Sequence, residues 1–306
     1  MKLSTKLSLL FLFTLFLAGC NERLTDATEE LPPSQQIETP AFGSETTLDI
    51  ASWNIEMFPK SGQQTVESVK ELIRDLDIDL FAIQEITDAD AFTALLDSLP
   101  DYEGRLGTGA SDFALWPAVI YKKNLVTVLD EGYLFTNDSY NHPRAPYRLY
   151  MRAEKGGQSF DFTLLVLHLK ASGGASNEAR RREAIRDLEN YVEAQLQDPA
   201  NDPDFIIAGD WNDLLNDPAS TNVFEPFLND TLDYRFLTAP FAGSASEFTY
   251  IGGTFNSLID HIMITRPIGQ LYPAIATQVL KIDQSYPQYE ARVSDHRPVA
   301  ARIAAF

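Results

Sequence analysis

The chain has 306 residues, 44% of them hydrophobic and 11% aromatic, enough apolar material to bury a sizeable core in one large domain or two small ones. That composition excludes a disordered protein. With 44 acidic residues against 24 basic ones the formal net charge is −20, so the surface has no general attraction for nucleic acid or anionic lipid. A phosphate substrate stays open, because bound divalent cations invert a local field.

Lys2 and Lys6 precede an apolar run from Leu7 to Ala18. The run is shorter than the ~20 residues a membrane span needs, and it has the basic start and apolar middle of a secretory signal. Cys20 is the one cysteine of the chain and so has no disulfide partner within it. "LFLAGC" resembles the lipobox of bacterial lipoproteins, which implies removal of residues 1–19, lipid on Cys20 and attachment to a membrane outside the cytoplasm. Asn21 stands where an aspartate would resemble an inner-membrane retention signal, so an outer-membrane location is expected. Residues 20–46 are polar and acidic with three prolines, the composition of a flexible tether.

From Thr47 the elements alternate, and one domain over 47–306 is expected. "TLDIASWNI" reads as a strand. Val66, Val69, Leu72, Ile73 and Leu76 recur at helical spacing and predict a helix over 63–76. "DLFAIQEI" is an almost unbroken apolar run, a strand buried on both faces. A second helix is predicted over about 89–99. Strands are predicted at "AVIYKK", "LVTVLDEGY", "YRLYMRA" and "FDFTLLVLHL", then a third helix over about 176–196, then strands at "DFIIAGD", "LIDHIMIT", "ATQVLKI" and "PVAARI". Helix-separated strands coexist with strands joined by short turns, which predicts an α/β fold with two mixed sheets face to face and helices outside.

The conspicuous polar residues stand at strand boundaries. Asn54, Glu85, His168 and the pair Asp210 and Asn212 follow or end strands, whereas Asp260 and His296 lie where strands begin. If those last strands run opposite to the others, all of these residues meet on one rim, as an active site requires. Asp260 lies within the apolar "SLIDHIMI", where a carboxylate needs a partner. His261 should face the other side of that strand and is read as structural. Arg180, Arg181 and Arg182 are read as a solvated helix start rather than an extension of a phosphate-binding surface, because three consecutive arginines on a helix point in different directions.

"SWNIE", "AIQEI", "LHLKAS", "GDWND", "LIDHIMI" and "SDHRPV" follow, in order, the motifs of the endonuclease/exonuclease/phosphatase superfamily, and the resemblance covers essentially residues 47–306. It implies a four-layer αββα sandwich and hydrolysis of a phosphate ester by water with Mg²⁺ or Mn²⁺. By that resemblance Glu85 is the main metal ligand, with Asn54 beside it and Asp295 contributing. His296 is the base, oriented by Asp260. Asp210 and Asn212 orient water and contact the phosphoryl group. His168 contacts a phosphate oxygen and helps protonate the leaving group, and Arg144 binds phosphate. Where the pancreatic nuclease of the family has a glutamate partner for the residue matching His168, this chain has Leu115, unless Asp112 or another acid reaches it. The expected function is that of an exported, lipid-anchored nuclease acting on DNA or RNA as a monomer. A sphingomyelinase or phospholipase C-like enzyme, a small-molecule phosphatase and an inactive surface binding protein are the alternatives.

Overall fold

Strand β1 (Leu48–Phe58) enters with eight consecutive buried residues. A computed structural model describes residues 39–306, apart from Asp112 and Thr254; the leader, Cys20 and most of the expected tether lie outside the described residues. Helix α1 (Gln63–Leu76) returns the chain to β2 (Leu80–Ile86), which pairs with β1 in parallel. Helix α2 (Ala89–Asp97) is capped by Asp88, whose side chain accepts from the amides of Asp90 and Ala91, and strands β3 (Tyr102–Leu106) and β4 (Trp116–Lys122) follow.

The second half repeats the plan. Strands β5 (Val126–Tyr133), β6 (Tyr147–Lys155) and β7 (Gln158–His168) form an antiparallel run. Helix α3 (Ala175–Gln197) then crosses to β8 (Phe205–Asp210), which lies parallel to β7. Helix α4 (Glu225–Asn229), strands β9 (Tyr234–Phe236) and β10 (Asp260–Thr265), helix α5 (Arg266–Leu271), strand β11 (Ala276–Val279), helix α6 (Tyr289–Arg292) and strand β12 (Val299–Ile303) complete it. The two six-stranded sheets have the orders β11-β12-β1-β2-β4-β3 and β5-β6-β7-β8-β10-β9.

Side-chain alternation along the strands builds the layers. Ile50, Leu80, Val119, Leu149, Phe162, Leu164, Ile206 and Ile262 fill the space between the sheets. Trp53, Phe81 and Ile83 face outward against Val69, Leu72, Ile73 and Leu76 of α1, and Leu165, Leu167, Ile207 and Met263 do the same against Ile185, Leu188 and Val192 of α3. Each such aliphatic side chain stabilises by roughly 1.5–3 kcal/mol on burial, and Leu72→Ala would cost about 2–5 kcal/mol with the cavity it leaves.

The predicted two-sheet α/β architecture and every predicted helix and strand are present. Two strands were not predicted. β9 has three residues and β3 five with Gly104 at its centre, so each alternates over too short a run to be read as a strand; a side chain at Gly104 would come within 2.8 Å of the Val119 carbonyl. The folded part also begins earlier than Thr47. Phe42 is buried beneath the Arg302 guanidinium, and the amides of Phe42 and Gly43 both donate to the carbonyl of Leu76.

Candidate active site

Parallel strands leave a crevice beyond their carboxyl ends, and here two such pairs, β1–β2 and β7–β8, open toward the same rim. β10 runs antiparallel to β8 and places Asp260 opposite Asp210, while β7 and β8 place His168 beside Asp210. A row of His168, Asp210 and Asp260 thus crosses three strands of one sheet. β12 runs antiparallel to β1, so the segment just before it brings Asp295 and His296 back to Asn54 and Glu85 of the other sheet. The opposite strand direction that the sequence required for a common rim is what the topology provides.

Local backbone irregularities aim the ligand-bearing groups. The β1–β2 register shifts between Asn54 and Phe58, where Glu56 and Met57 have positive φ, and the β2–β4 register shifts between Ile83 and Ile86, where Glu85 has φ 69°. Such bulges turn side chains out of the sheet beside active sites. Glu85 is thereby directed at its neighbours: Asn54 Nδ2 donates to Oε1 at 3.1 Å and the Met57 amide donates to Oε2 at 3.0 Å. Asn212, with φ 56°, occupies a left-handed turn that asparagine tolerates; its amide nitrogen of the main chain donates to Asp210 Oδ1 at 2.9 Å. Gly209, just before Asp210, has no room for a side chain, since a Cβ would meet the Leu167 carbonyl at 2.2 Å.

Asp210 is the hub. Its Oδ2 accepts from Asn54 Nδ2 at 3.2 Å, and lies 3.6 Å from His168 Nε2 and 4.0 Å from His296 Nε2. Burial, followed by the Asp260 charge, pushes its carboxyl up to about 7. His296 Nδ1 is 2.8 Å from Asp260 Oδ2. Burial alone would lower the basicity of this ring, but Asp260, Asp210 and Asp295 outweigh it and draw the imidazole up to about 10. His168 is driven the other way: burial, then the charges of Arg144 and His296, hold it well below the ordinary histidine range. Its Nε2 faces Glu85 Oε1 and Asp210 Oδ2, each at 3.6 Å, while its Nδ1 is buried with no hydrogen-bond partner among the described residues. No carboxylate among the described residues reaches that nitrogen, and Asp112 lies outside the described residues.

Arg144 reaches the rim from the loop between β5 and β6. It is buried, and its Nε donates to the carbonyl of His168 at 2.8 Å while Nη2 donates to that of Leu169. Asn212 Nδ2 shares the Leu169 carbonyl at 3.2 Å. These bonds fix the turn that carries His168, a role the sequence did not disclose. The His296 segment is fixed as firmly: its amide donates to Ser294 Oγ, which donates in turn to the carbonyl of Asn54 at 2.7 Å, and its carbonyl accepts from Tyr289 Oη, which accepts from Trp53 Nε1 at 2.9 Å. Ser294 and Tyr289 were not among the expected site residues; a serine or tyrosine acting through main-chain bonds has no motif of its own.

The donor set fits a hard divalent cation. Glu85 and Asp295 keep part of their surface open and have no Lys or Arg partner within 4.0 Å among the described residues, whereas Glu56, the third carboxylate of this corner, pairs with Lys60. Burial pushes Asp295 up to about 6; His296 opposes this, and the Glu56 and Glu85 charges add to it. Like charges crowded into a partly buried corner of oxygen ligands suit Mg²⁺ or Mn²⁺. Asn54 stands beside Glu85 as expected, but its carbonyl oxygen accepts the Glu56 amide at 3.0 Å and its NH2 group spans Glu85 and Asp210, so it bridges the carboxylates. Asp210, Asp260 and His296 also bring ligand-type atoms within 4.8 Å of one another, yet His296 Nδ1 and Asp260 Oδ2 are already bonded to each other, which leaves Glu85 and Asp295 the better cation corner.

Two neighbouring features compare with the sequence reading in opposite ways. His261 does face away from the site, as expected, into Trp211, Phe224 and Phe236, with Nδ1 bonded to Thr238 Oγ1 and Nε2 to the carbonyl of Asp213. The three arginines at the start of α3, however, are not a uniformly solvated end, because Arg181 is buried and pairs with Asp213 at 2.7 Å.

The sequence pattern of the Endonuclease/Exonuclease/phosphatase family matches residues 51–296. No curated protein matches the chain in sequence. Among solved structures it is similar in fold to D. rerio TDP2 complexed with single strand DNA product (TM-score 0.60, 14% identity, covering 84% of this chain and 99% of that one). It is similar also to the mannosyl-6-phosphatase of Bacteroides thetaiotaomicron (0.59, 15%, 83% and 98%) and to the human Nocturnin catalytic domain with bound sulfate (0.58, 16%, 84% and 94%). With its matched region spanning both sheets and every group of the rim, the chain belongs to the endonuclease/exonuclease/phosphatase family, whose members are phosphoric ester hydrolases.

Proposed function

We propose that the protein hydrolyses phosphodiesters by an activated water with the help of Mg²⁺ or Mn²⁺, and that its substrate is DNA or RNA. The observation that carries this is the buried Asp260–His296 pair at 2.8 Å, whose outer ring nitrogen faces Asp210 beside the Glu85–Asp295 corner. Asp260 fixes the ring with Nδ1 turned inward and Nε2 outward; the three carboxylates that draw the ring up to about 10 keep it charged near neutral pH, and a cation held by Glu85 and Asp295 would offset them and return Nε2 to the form that takes a proton from water. Glu85 and Asp295 would hold the cation, with Asn54 orienting Glu85. When bound, the cation supplies neutralisation of the phosphoryl oxygens and acidifies a water. Asp210 and Asn212 place the water and the phosphoryl group. His168, neutral and held in place by Arg144, suits hydrogen bonding from Nε2–H to a phosphate oxygen; a ring so reluctant to hold a proton is a poor general acid for the leaving group.

The nucleic-acid reading is supported by the DNA product in the similar D. rerio structure. The test is hydrolysis by the purified protein, with and without Mg²⁺ or Mn²⁺, of plasmid DNA, single-stranded RNA, sphingomyelin vesicles and a nucleoside monophosphate. Metal-dependent cleavage of DNA or RNA is expected. Cleavage of lipid alone or of the monoester alone would replace the substrate, and silence on all four would make this a binding protein.

The same proposal places the protein outside the cytoplasm, anchored in the outer membrane by lipid on Cys20. No helix among the described residues is long and apolar enough to cross a membrane. Labelled palmitate should enter the wild type and not Cys20→Ser; equal labelling of both would remove the anchor.

A further inference from the structure

The arginine run at 180–182 divides in the structure. Arg181 is used internally, on Asp213 and on the carbonyls of Lys170 and Ser172. Arg182 is used on the carbonyls of Thr221 and Asn222 and on Glu178. Arg180 has no carboxylate within 4.0 Å among the described residues. Its Nε donates to the carbonyl of Tyr140 at 2.6 Å and its guanidinium carbon lies 4.5 Å from the centre of the Tyr140 ring. Tyr140 itself is 63% exposed.

Two more cations, with no carboxylate within 4.0 Å among the described residues, stand next to this stack. Lys170, two residues after His168, bonds the carbonyl of Ala171, and Arg144 bonds the carbonyls of His168 and Leu169. The four side chains are close enough to feel one another: burial and then the charges of Arg180, Arg144 and Arg181 lower Lys170, and Arg180 acts on Arg144 as well. Arg144 in turn feels Asp210 and Glu85, so the cationic side adjoins the reacting centre. In a chain of net charge −20, cations that gather beside the phosphoryl site without neutralising acids call for an anionic partner from outside.

We propose that Arg180, Lys170 and Tyr140 form a second subsite that takes a flanking phosphate and the adjoining base of a single nucleic-acid strand. The inference rests on the phosphodiesterase reading and extends it from the bond cleaved to the strand bound. Arg180 is held by the Tyr140 carbonyl and ring, so its remaining donors are presented with little rotamer freedom left to lose. One face of Tyr140 is covered by that guanidinium, and a residue this exposed keeps ring surface on which a base can stack, a contact worth about 1–3 kcal/mol per base and tolerant of sequence. Lys170 adds a point charge two residues along the chain from His168.

The experiment compares a dinucleotide, which has one phosphodiester, with a hexanucleotide, in the wild type, Arg180→Ala, Lys170→Ala and Tyr140→Ala. Lys123→Ala, on the turn between β4 and β5, serves as control, and Tyr140→Phe keeps the stacking ring. Two quantities are read: kcat/KM with Mg²⁺, and binding of a fluorescent hexanucleotide in EDTA by anisotropy. The wild type should prefer the hexanucleotide. Each alanine variant of the subsite should lose about tenfold of that preference and of the binding, with the two cation variants also reducing the salt dependence of binding by about one phosphate. Tyr140→Phe and Lys123→Ala should match the wild type. Equal preference and binding in all the variants, or a wild type indifferent to length, would overturn the subsite. If the wild type binds and the variants do not, while nothing is cleaved, the subsite stands and the proposed hydrolysis falls.

Discussion

Asp260 Oδ2 lies 2.8 Å from His296 Nδ1, with the carboxylate fully buried and the ring nearly so. A carboxylate in this position sets which nitrogen carries the inner proton and stabilises the ring when it is charged. Asp260→Asn keeps the shape and removes both effects. A fall in kcat of roughly 10³- to 10⁴-fold is expected, by comparison with the same substitution in a serine-protease triad, with the thermal midpoint little changed. A kcat within threefold of wild type would take His296 out of the proton transfer.

Tyr289 couples the fold to the same histidine, since its hydroxyl joins Trp53 Nε1 to the His296 carbonyl. Tyr289→Phe leaves both groups buried without a partner, which costs about 1–3 kcal/mol each at most. Because Tyr289 acts on the position of His296 and touches no reacting atom, kcat should fall about tenfold, the order of loss a small misplacement brings, while KM holds. Urea unfolding and steady-state kinetics separate the two effects. A loss of stability with kcat intact would make Tyr289 purely structural.

Glu85 carries its carboxylate on a left-handed backbone, φ 69°, where any residue with a Cβ is strained. Glycine relieves that strain and alanine does not. Glu85→Gly and Glu85→Ala should both lose metal-dependent hydrolysis, yet the glycine variant should be the more stable by about 1 kcal/mol. Thermal unfolding of the two variants decides it; a more stable alanine variant would mean that the turn at Glu85 carries no strain.

Most of the rim was legible because the relevant residues stand at boundaries between apolar runs. Asp260 within "SLIDHIMI" could be placed on the common rim once its strand was read as running opposite to the others, and the β8–β10 pairing sets it opposite Asp210. What escaped acts through the main chain or through packing. Nothing in a sequence distinguishes Arg181, buried on Asp213, from its half-buried neighbour Arg180, because which of three consecutive arginines turns inward depends on where the Asp213 loop packs against the helix. The bulge that directs Glu85 and the burial of Phe42 beneath Arg302 depend on pairings made far along the chain.

His261 offers a test of the fold that is independent of catalysis. Its ring is neutral among Trp211, Phe224 and Phe236, and burial pushes it down to about 4 from an ordinary 6.5. The unfolded chain therefore binds the extra proton first. The stability that His261 contributes is fully present above pH 6.5 and is lost as pH falls toward 4. Asp49 and Asp204, pushed up to about 6 by burial, act with the opposite sign: the folded chain holds their protons more tightly, so lowering the pH from 6 toward 4 favours folding. Those two contributions are common to wild type and His261→Gln and cancel in the difference between them. The stability advantage of wild type over His261→Gln should thus shrink by roughly 2 kcal/mol between pH 8 and pH 5, the 1.5 units below 6.5 at about 1.4 kcal/mol each. Urea unfolding of both proteins at the two pH values measures it, and a difference independent of pH would show that His261 accepts a proton without leaving its aromatic enclosure.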